Sequence, residues 1–186
     1  MIHTDTLIIG ASIAGLACAG ALSKEGMDFI IIDKEAQIAS PWRNHYERLH
    51  LHTNKSLSSL PYKKFDKNIP RYPSRLQVVE YLESYKTAFN INPFFKTEAT
   101  LVAKENESWI TETTNGTYKS KYLVIATGQY SKPKEVHLKG METFPGKILH
   151  SNKYESGRSY KGQKVLVSGF GNSACEIAID LYEQGA

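Results

Sequence analysis

The sequence predicts an α/β protein built on a parallel sheet, and three observations carry that expectation. Residues 6–9 are β-prone and apolar and stop at Gly10. Residues 13–23 are rich in Ala and Leu, which favour helix. Phe29-Ile30-Ile31-Ile32 is an unbroken apolar run, the pattern of a strand buried on both faces. Together they make a β-α-β unit within about thirty residues, with Gly26 as the expected helix stop. Tyr122-Leu123-Val124-Ile125 reads as a further buried strand, ending at Ala126-Thr127-Gly128. Val165-Leu166-Val167-Ser168 repeats the strand pattern, Gly169 breaks it, and residues 173–183 read as helix.

The remaining elements follow in order. Residues 34–74 are irregular, with Pro41, Pro61, Pro70 and Pro73, and a connection of that length is functional or disordered. Its aromatics Trp42, Tyr46, Tyr62, Phe65 and Tyr72 argue for order. Ser74-Arg75-Leu76-Gln77 has the spacing of a capping box. Leu76, Val79, Leu82, Tyr85 and Phe89 then recur at helical intervals. Residues 94–125 read as short strands, with Asn115-Gly116 as a hairpin turn between Trp109-Ile110 and Tyr118.

Composition narrows the function classes. With 186 residues, 41% hydrophobic and 23% charged, the chain has an ordinary globular composition, not that of a disordered one. No apolar run approaches the ~20 residues of a membrane helix, and the first residues lack the basic start of a secretory signal. The net charge of +4 is spread over scattered lysines and short pairs such as Lys63-Lys64, so neither a nucleic-acid partner nor a membrane is expected. The two cysteines, Cys18 and Cys175, are too few for a disulfide framework or a metal cluster. Each reads as a small residue on the buried side of a helix, no metal is expected, and a reducing, cytoplasmic location is.

The chemistry lies in the strand-to-helix turns. Gly10-Ala11-Ser12-Ile13-Ala14-Gly15 follows the dinucleotide pattern G-x-G-x-x-G with Ser12 at the second glycine. Gly10 would make the tight turn and Gly15 would let helix pack on strand. The helix N-terminus would then offer its unpaired N–H groups to a pyrophosphate. Ser12 narrows the approach, and its hydroxyl is a possible donor. Asp33, 23 residues after Gly10, stands where a carboxylate accepts both ribose hydroxyls. An acid there suits a free ribose and repels a 2′-phosphate, so FAD or NAD is expected rather than NADP. Gly169-Phe170-Gly171-Asn172-Ser173-Ala174 is a second such turn, in the G-x-G-x-x-A form. Two in one chain suggest a protein that holds two dinucleotides, as when a pyridine nucleotide reduces a flavin. The second begins only 18 residues from the last, counting 169 to 186, too few for a whole nucleotide domain. The expectation is therefore a piece of a longer protein, without turnover by itself and with exposed apolar surface.

Between the turns, Phe144, Gly146, His150 and Tyr154 spell F-x-G-x-x-x-H-x-x-x-Y. The segment resembles the signature of the flavin-containing monooxygenases at all four fixed positions. Gly171-Asn172-Ser173 is similar to their second glycine motif, and Leu123-Val124-Ile125-Ala126-Thr127-Gly128 to the segment that joins their FAD and NADP domains. Tyr72-Pro73, Tyr81-Leu82-Glu83-Ser84-Tyr85, and Ile38-Ala39-Ser40 with Trp42 look most like the YUCCA branch, which acts on indole-3-pyruvate. Tyr154, where the related Baeyer–Villiger enzymes carry Trp, favours the N/S-oxygenating and YUCCA-like branches. The resemblance covers essentially the whole chain.

It implies a Rossmann-like FAD-binding domain over residues 1–130 with a small hairpin region, a connector over 131–162, and the start of an NADPH-binding domain over 163–186. For the cofactor sites it implies Gly10, Ser12, Gly15, Asp33, Lys34, Trp42, Thr127 and Gly128 at FAD. Gly169, Gly171, Asn172, Ser173 and Ala174 would lie at NADPH, and the connector would have a structural or NADP-side role. It implies an enzyme that inserts one oxygen atom from O2 into a small substrate through a C4a-(hydro)peroxyflavin. That substrate would be a soft nitrogen or sulfur nucleophile, or a 2-oxo acid. Asn54 resembles the Thr-Asn of N/S-oxygenating members, whose amide lies beside the flavin, whereas YUCCA-type sequences usually lack it; the same residue equally suits a loop turn. His50 and His52 are expected to face opposite ways and to make no metal site. A flavoprotein reductase without oxygen insertion and a non-catalytic nucleotide-binding module remain as alternatives, and the lack of Cys-x-x-Cys argues against a disulfide reductase.

Overall fold

In a computed structural model of the protein, residues 1–129, 132–134 and 136–186 are described. The expected boundary at 130/131 falls on Tyr130 and Ser131, outside the described residues. Strand β1 (Ile2–Ile9) leads into helix α1 (Ile13–Lys24) and strand β2 (Phe29–Ile32), as the apolar pattern predicts. The two strands run parallel, from Thr6 beside Phe29 to Ile9 beside Ile32. α1 ends as expected at Gly26, which takes a left-handed φ of 66°. The Gly26 N–H then donates to the Ser23 carbonyl and the Met27 N–H to that of Leu22, the paired bonds of a glycine-terminated helix.

The long segment after β2 is ordered, with one-turn helices α2 (Ser40–Arg43) and α3 (Lys55–Ser58). Helix α4 (Arg75–Ala88) opens on the expected capping box. The Gln77 N–H donates to Ser74 Oγ at 3.4 Å and the Ser74 N–H to Gln77 Oε1 at 2.9 Å. Its buried side is Val78, Val79, Tyr81, Leu82 and Tyr85, while Leu76, expected on that side, is exposed. Strands β3 (Ala99–Glu105), β4 (Ser108–Thr113) and β5 (Gly116–Ile125) follow, with Asn115-Gly116 in the hairpin turn.

The five strands form one sheet in the order β2-β1-β5-β4-β3. The expected parallel sheet is thus a mixed one. β5 is parallel to β1, from Ile2 beside Tyr118 to Ile9 beside Ile125, and antiparallel to β4, from Trp109 beside Ser120 to Thr113 beside Gly116. The two strands read separately around Tyr118 and Tyr122 are one ten-residue strand that joins the parallel and antiparallel halves. Its second half is less buried than its apolar run predicts, with Tyr122 and Ile125 exposed.

Side chains alternate across the pleat. Ile8, Ile31 and Val124 enter a core shared with α1 and α4, built on Leu16, Ala19, Leu82 and Tyr85. Leu7, Ile9 and Ile32 form a second cluster with Tyr118, joined by Ile30, Leu123 and Val102. α1 approaches α4 over Gly20, whose added Cβ would stand 2.2 Å from the Tyr85 hydroxyl.

After three short 3₁₀ turns at Met141–Thr143, Ser151–Lys153 and Gly157–Tyr160, the chain ends in helix α5 (Asn172–Gln184). Residues 165–168 are not a strand. Among the described residues no backbone pairs with them, and Leu166 is 93% exposed. The residue pattern supplies β-propensity, but a strand forms only against a neighbour that takes up its N–H and C=O groups. Phe170 and Tyr182 are also exposed, in line with the expected apolar surface. α5 packs on a third cluster, where Ile177 and Leu181 meet Tyr46, Leu49 and Tyr154.

Candidate functional site

The first glycine turn sits where the carboxyl ends of β1, β2 and β5 converge, the usual ligand edge of an α/β sheet. Gly10 has φ 109°, and its N–H donates to the Ile32 carbonyl at 2.8 Å, so the turn spans from β1 to β2. An added Cβ there would lie 2.5 Å from the Ala126 carbonyl oxygen, against the end of β5. At Gly15 it would lie 1.8 Å from the Gly10 carbonyl oxygen, a backbone approach only glycine permits. Both glycines therefore perform the tasks expected of the first and third positions of the pattern.

Asp33 follows β2 and locks this turn. Its Oδ2 accepts the Ala11 N–H at 2.6 Å and its Oδ1 accepts the Glu35 N–H at 2.9 Å. A carboxylate has about four lone-pair sites, so capacity remains for ribose hydroxyls. Ser12 is the N-cap of α1 but makes no capping bond through its side chain, and the first helical turn carries no acid. The hydroxyl and the N-terminal N–H groups are left for an anion, which the helix dipole favours. Thr127 and Gly128, both exposed, leave β5 beside Gly10, Gly128 with a left-handed φ of 78°. Lys34 is exposed next to Asp33. Trp42 is half-buried on α2 and packs against both the helix-side core and the α5 cluster. The donor set fits the pyrophosphate and one ribose of a dinucleotide.

Asn54 is the N-cap of α3. Its Oδ1 accepts the Ser56 N–H at 3.0 Å, which orients the amide and directs the Nδ2 amino group away from the turn. That amino group has no hydrogen-bond partner among the described residues. Turn-maker and open amide donor are thus compatible in one side chain.

The second glycine turn opens α5. Gly169 has φ 136° and Gly171 is the N-cap without a side-chain capping bond, followed by Asn172, Ser173 and Ala174 in the first turn. The two glycine turns share no hydrogen bond among the described residues. Instead, α5 is seated on the connector. Asp180, 3% exposed, accepts the Tyr154 hydroxyl at 2.6 Å and the Gly157 N–H at 2.8 Å. Burial, then the bond to Asp180, pushes the Tyr154 phenol well above the usual tyrosine range, so it stays a donor. Tyr154 is a buried anchor of the connector, and His150 closes the local turn by accepting the Asn152 N–H. An acid at 180 on the same stripe as Ile177 and Leu181 is the signal from which this anchor was legible.

A group that sequence reasoning missed lies between residues 46–52 and α5. The Tyr46 hydroxyl donates to Glu176 Oε2 at 3.0 Å, and His50 Nδ1 and His52 Nε2 lie 3.8 and 3.5 Å from the same carboxylate. Arg48 makes a two-pronged bond to Glu183 at 2.7 and 3.0 Å. His50 and His52 thus converge on one carboxylate instead of facing apart as expected, because residues two apart share a face of an extended segment. Arg48, His50, His52 and Glu176 line an open cleft of about 440 Å³ with Tyr72, Asn172 and Cys175. Cys175 is exposed there, not buried as expected, and Cys18 is half-buried in α1; both are free thiols. Among the described residues no group of three or more His, Cys, Asp or Glu is placed to hold a metal, and no helix is long and apolar enough to cross a membrane.

The family described as pyridine nucleotide-disulphide oxidoreductase matches residues 7–186. The chain belongs to that family. Within it, the similarity is to flavin monooxygenases. The chain is 40% identical over 193 residues to a probable indole-3-pyruvate monooxygenase, YUCCA3, of Arabidopsis thaliana, covering 97% of this chain and 44% of that protein. Among solved structures, a flavin-containing monooxygenase from Stenotrophomonas maltophilia superposes with a TM-score of 0.88 at 26% identity, over 100% of this chain and 56% of that one. A bacillithiol disulfide reductase from Staphylococcus aureus superposes with a TM-score of 0.86 at 25% identity, again over 100% and 56%. The chain spans under half the length of the curated relatives it matches.

Proposed function

We infer that this pyridine nucleotide-disulphide oxidoreductase family member belongs to an FAD-dependent, NADPH-using monooxygenase that inserts one oxygen atom of O2 into a small organic substrate. The observation that carries the reading is the first glycine turn. Gly10 and Gly15 bring α1 against the sheet, Ser12 and the helix N–H groups remain open, and Asp33 faces the same edge. These residues would hold the FAD pyrophosphate and ribose, with Lys34, Trp42, Thr127 and Gly128 around them. Gly169, Gly171, Asn172, Ser173 and Ala174 would hold the pyrophosphate of NADPH. When bound, the flavin supplies hydride acceptance and the reaction with O2. The chain's own residues bind and orient, and Asn54 would present its amide N–H groups to the reacting oxygen without giving up a proton. Residues 1–130, 131–162 and 163–186 are read as FAD part, connector and NADPH part.

The relatives' names favour a 2-oxo acid such as indole-3-pyruvate as substrate; a nitrogen or sulfur nucleophile suits the same chemistry. Partners are then small molecules and O2, without nucleic acid or membrane, and two free cysteines suit a cytoplasmic location. The Staphylococcus neighbour favours a second reading, a reductase that inserts no oxygen. The full-length protein decides between them when given NADPH, isotopically labelled O2 and each substrate class. The monooxygenase reading predicts label in the organic product. Oxidation of NADPH that yields hydrogen peroxide alone with every substrate contradicts it.

A further inference from the structure

Lys55, next to Asn54, is held in an unusual way. All three of its ammonium N–H donors go to backbone carbonyls, those of Asp66 and Lys67 at 2.9 Å each and that of Ile69. Its own N–H donates to the Arg71 carbonyl at 2.9 Å. Among the described residues no carboxylate takes part. An ammonium has three donors and no acceptor, so this one is saturated, and four bonds from a single residue tie the start of α3 to the 66–71 segment. An arginine fork cannot aim its donors at three converging carbonyls in that manner.

The consequence falls on Asn54. Residues 53–59 form a closed local network. The Leu57 N–H and the Ser58 hydroxyl donate to the Asn54 carbonyl at 2.9 and 3.1 Å, the Ser59 hydroxyl donates to the Lys55 carbonyl at 2.9 Å, and Thr53 Oγ1 meets Ser58 Oγ at 2.6 Å. α3 is one turn long and buries no side chain, so it has no packing to fix it in place. The tie to 66–71 supplies that anchor, and with it the direction in which the Asn54 Nδ2 amino group points.

We propose that Lys55 is a positioning residue for oxygen transfer, its carbonyl-caged ammonium holding Asn54 in the orientation that presents the amide donor to the flavin site. The proposal rests on the monooxygenase reading and on Asn54 lying at that site. Lys55→Met keeps the stem and removes the ammonium, Lys55→Arg keeps the charge and changes its shape, and Lys64→Met at an exposed lysine is the control.

The first readout needs no turnover. In the FAD-loaded full-length protein, the side-chain amide resonance of ¹⁵N-labelled Asn54 should shift in both Lys55 variants and stay in place in the control. Hydrogen exchange of the 55–59 and 66–71 amides should accelerate about tenfold or more, as for a local opening. The second readout is product formed per NADPH consumed. It should fall about tenfold in Lys55→Met and in Asn54→Ala alike, and no further in the double variant, since residues acting through one another are non-additive. If Lys55→Met fails to fold, Lys55→Arg carries both readouts. An unmoved Asn54 resonance overturns the proposal, as does a double variant whose loss is the product of the two single losses. If wild type itself yields only hydrogen peroxide, the monooxygenase reading fails, and the unchanged or shifted Asn54 resonance still reports separately on the cage.

Discussion

Tyr85 shows how one residue can carry both packing and a titration. Its ring is fully buried against Gly20, and its hydroxyl has no hydrogen-bond partner among the described residues. Burial, with the neighbouring phenols Tyr81 and Tyr62 adding to it, pushes its pKa up to about 12. The unfolded phenol ionises near 10. A raised native pKa means that the unfolded chain loses its proton first, so this contribution is complete below pH 10 and disappears as pH rises towards 12. Burial also raises Tyr81 and Tyr118, so the whole protein weakens in alkali. The specific expectation concerns Tyr85→Phe, measured by urea unfolding at successive pH values. At neutral pH the variant should equal wild type or exceed it by up to about 1 kcal/mol, because an orphan hydroxyl is gone. Between pH 10 and 12 its stability should fall less steeply than that of wild type. Parallel curves across that range would contradict the assignment.

At the scale of elements, α5 is held by Asp180 rather than by a strand. Tyr154→Phe leaves that buried carboxylate with the Gly157 N–H alone. Loss of a hydrogen bond to a charged, buried acceptor costs about 1.5–3 kcal/mol. The loss should appear as faster hydrogen exchange in α5 and in residues 154–160, with β1 and β5 unaffected; an unchanged α5 would show that the connector docks by other means. Elements whose signals are local were readable in advance. The β1-α1-β2 unit, the Ser74–Gln77 capping box and the Asn115-Gly116 hairpin are each determined within a few residues. Residues 165–168 carry an apolar pattern like that of β2 but have no strand neighbour among the described residues, and pairing is not written in a local pattern. The unity of β5 was obscured because its polar first half pairs with both β4 and β1 while its apolar second half pairs with β1 alone. The Glu176 group was missed because it forms only where α5 meets residues 46–52, a contact between segments distant in sequence.

For the whole molecule, the central claim is that the glycine turn and Asp33 together form a flavin site at the carboxyl edge of the parallel strands. The glycine spacing and the acid 23 residues on were legible because each rests on backbone geometry. The second task of Asp33 was not, since its bond to the Ala11 N–H depends on how β2 meets the turn. Asp33 is the sharpest probe, because its removal releases the turn and withdraws the carboxylate proposed as the ribose acceptor. The most direct measurement is the FAD content and affinity of the full-length protein beside its Asp33→Ala variant, with folding checked by circular dichroism. The account predicts one FAD per wild-type chain and an affinity lowered about tenfold or more in the folded variant, the equivalent of one lost charged hydrogen bond. A folded wild type that binds no flavin, or a folded variant that binds FAD as tightly as wild type, would contradict it.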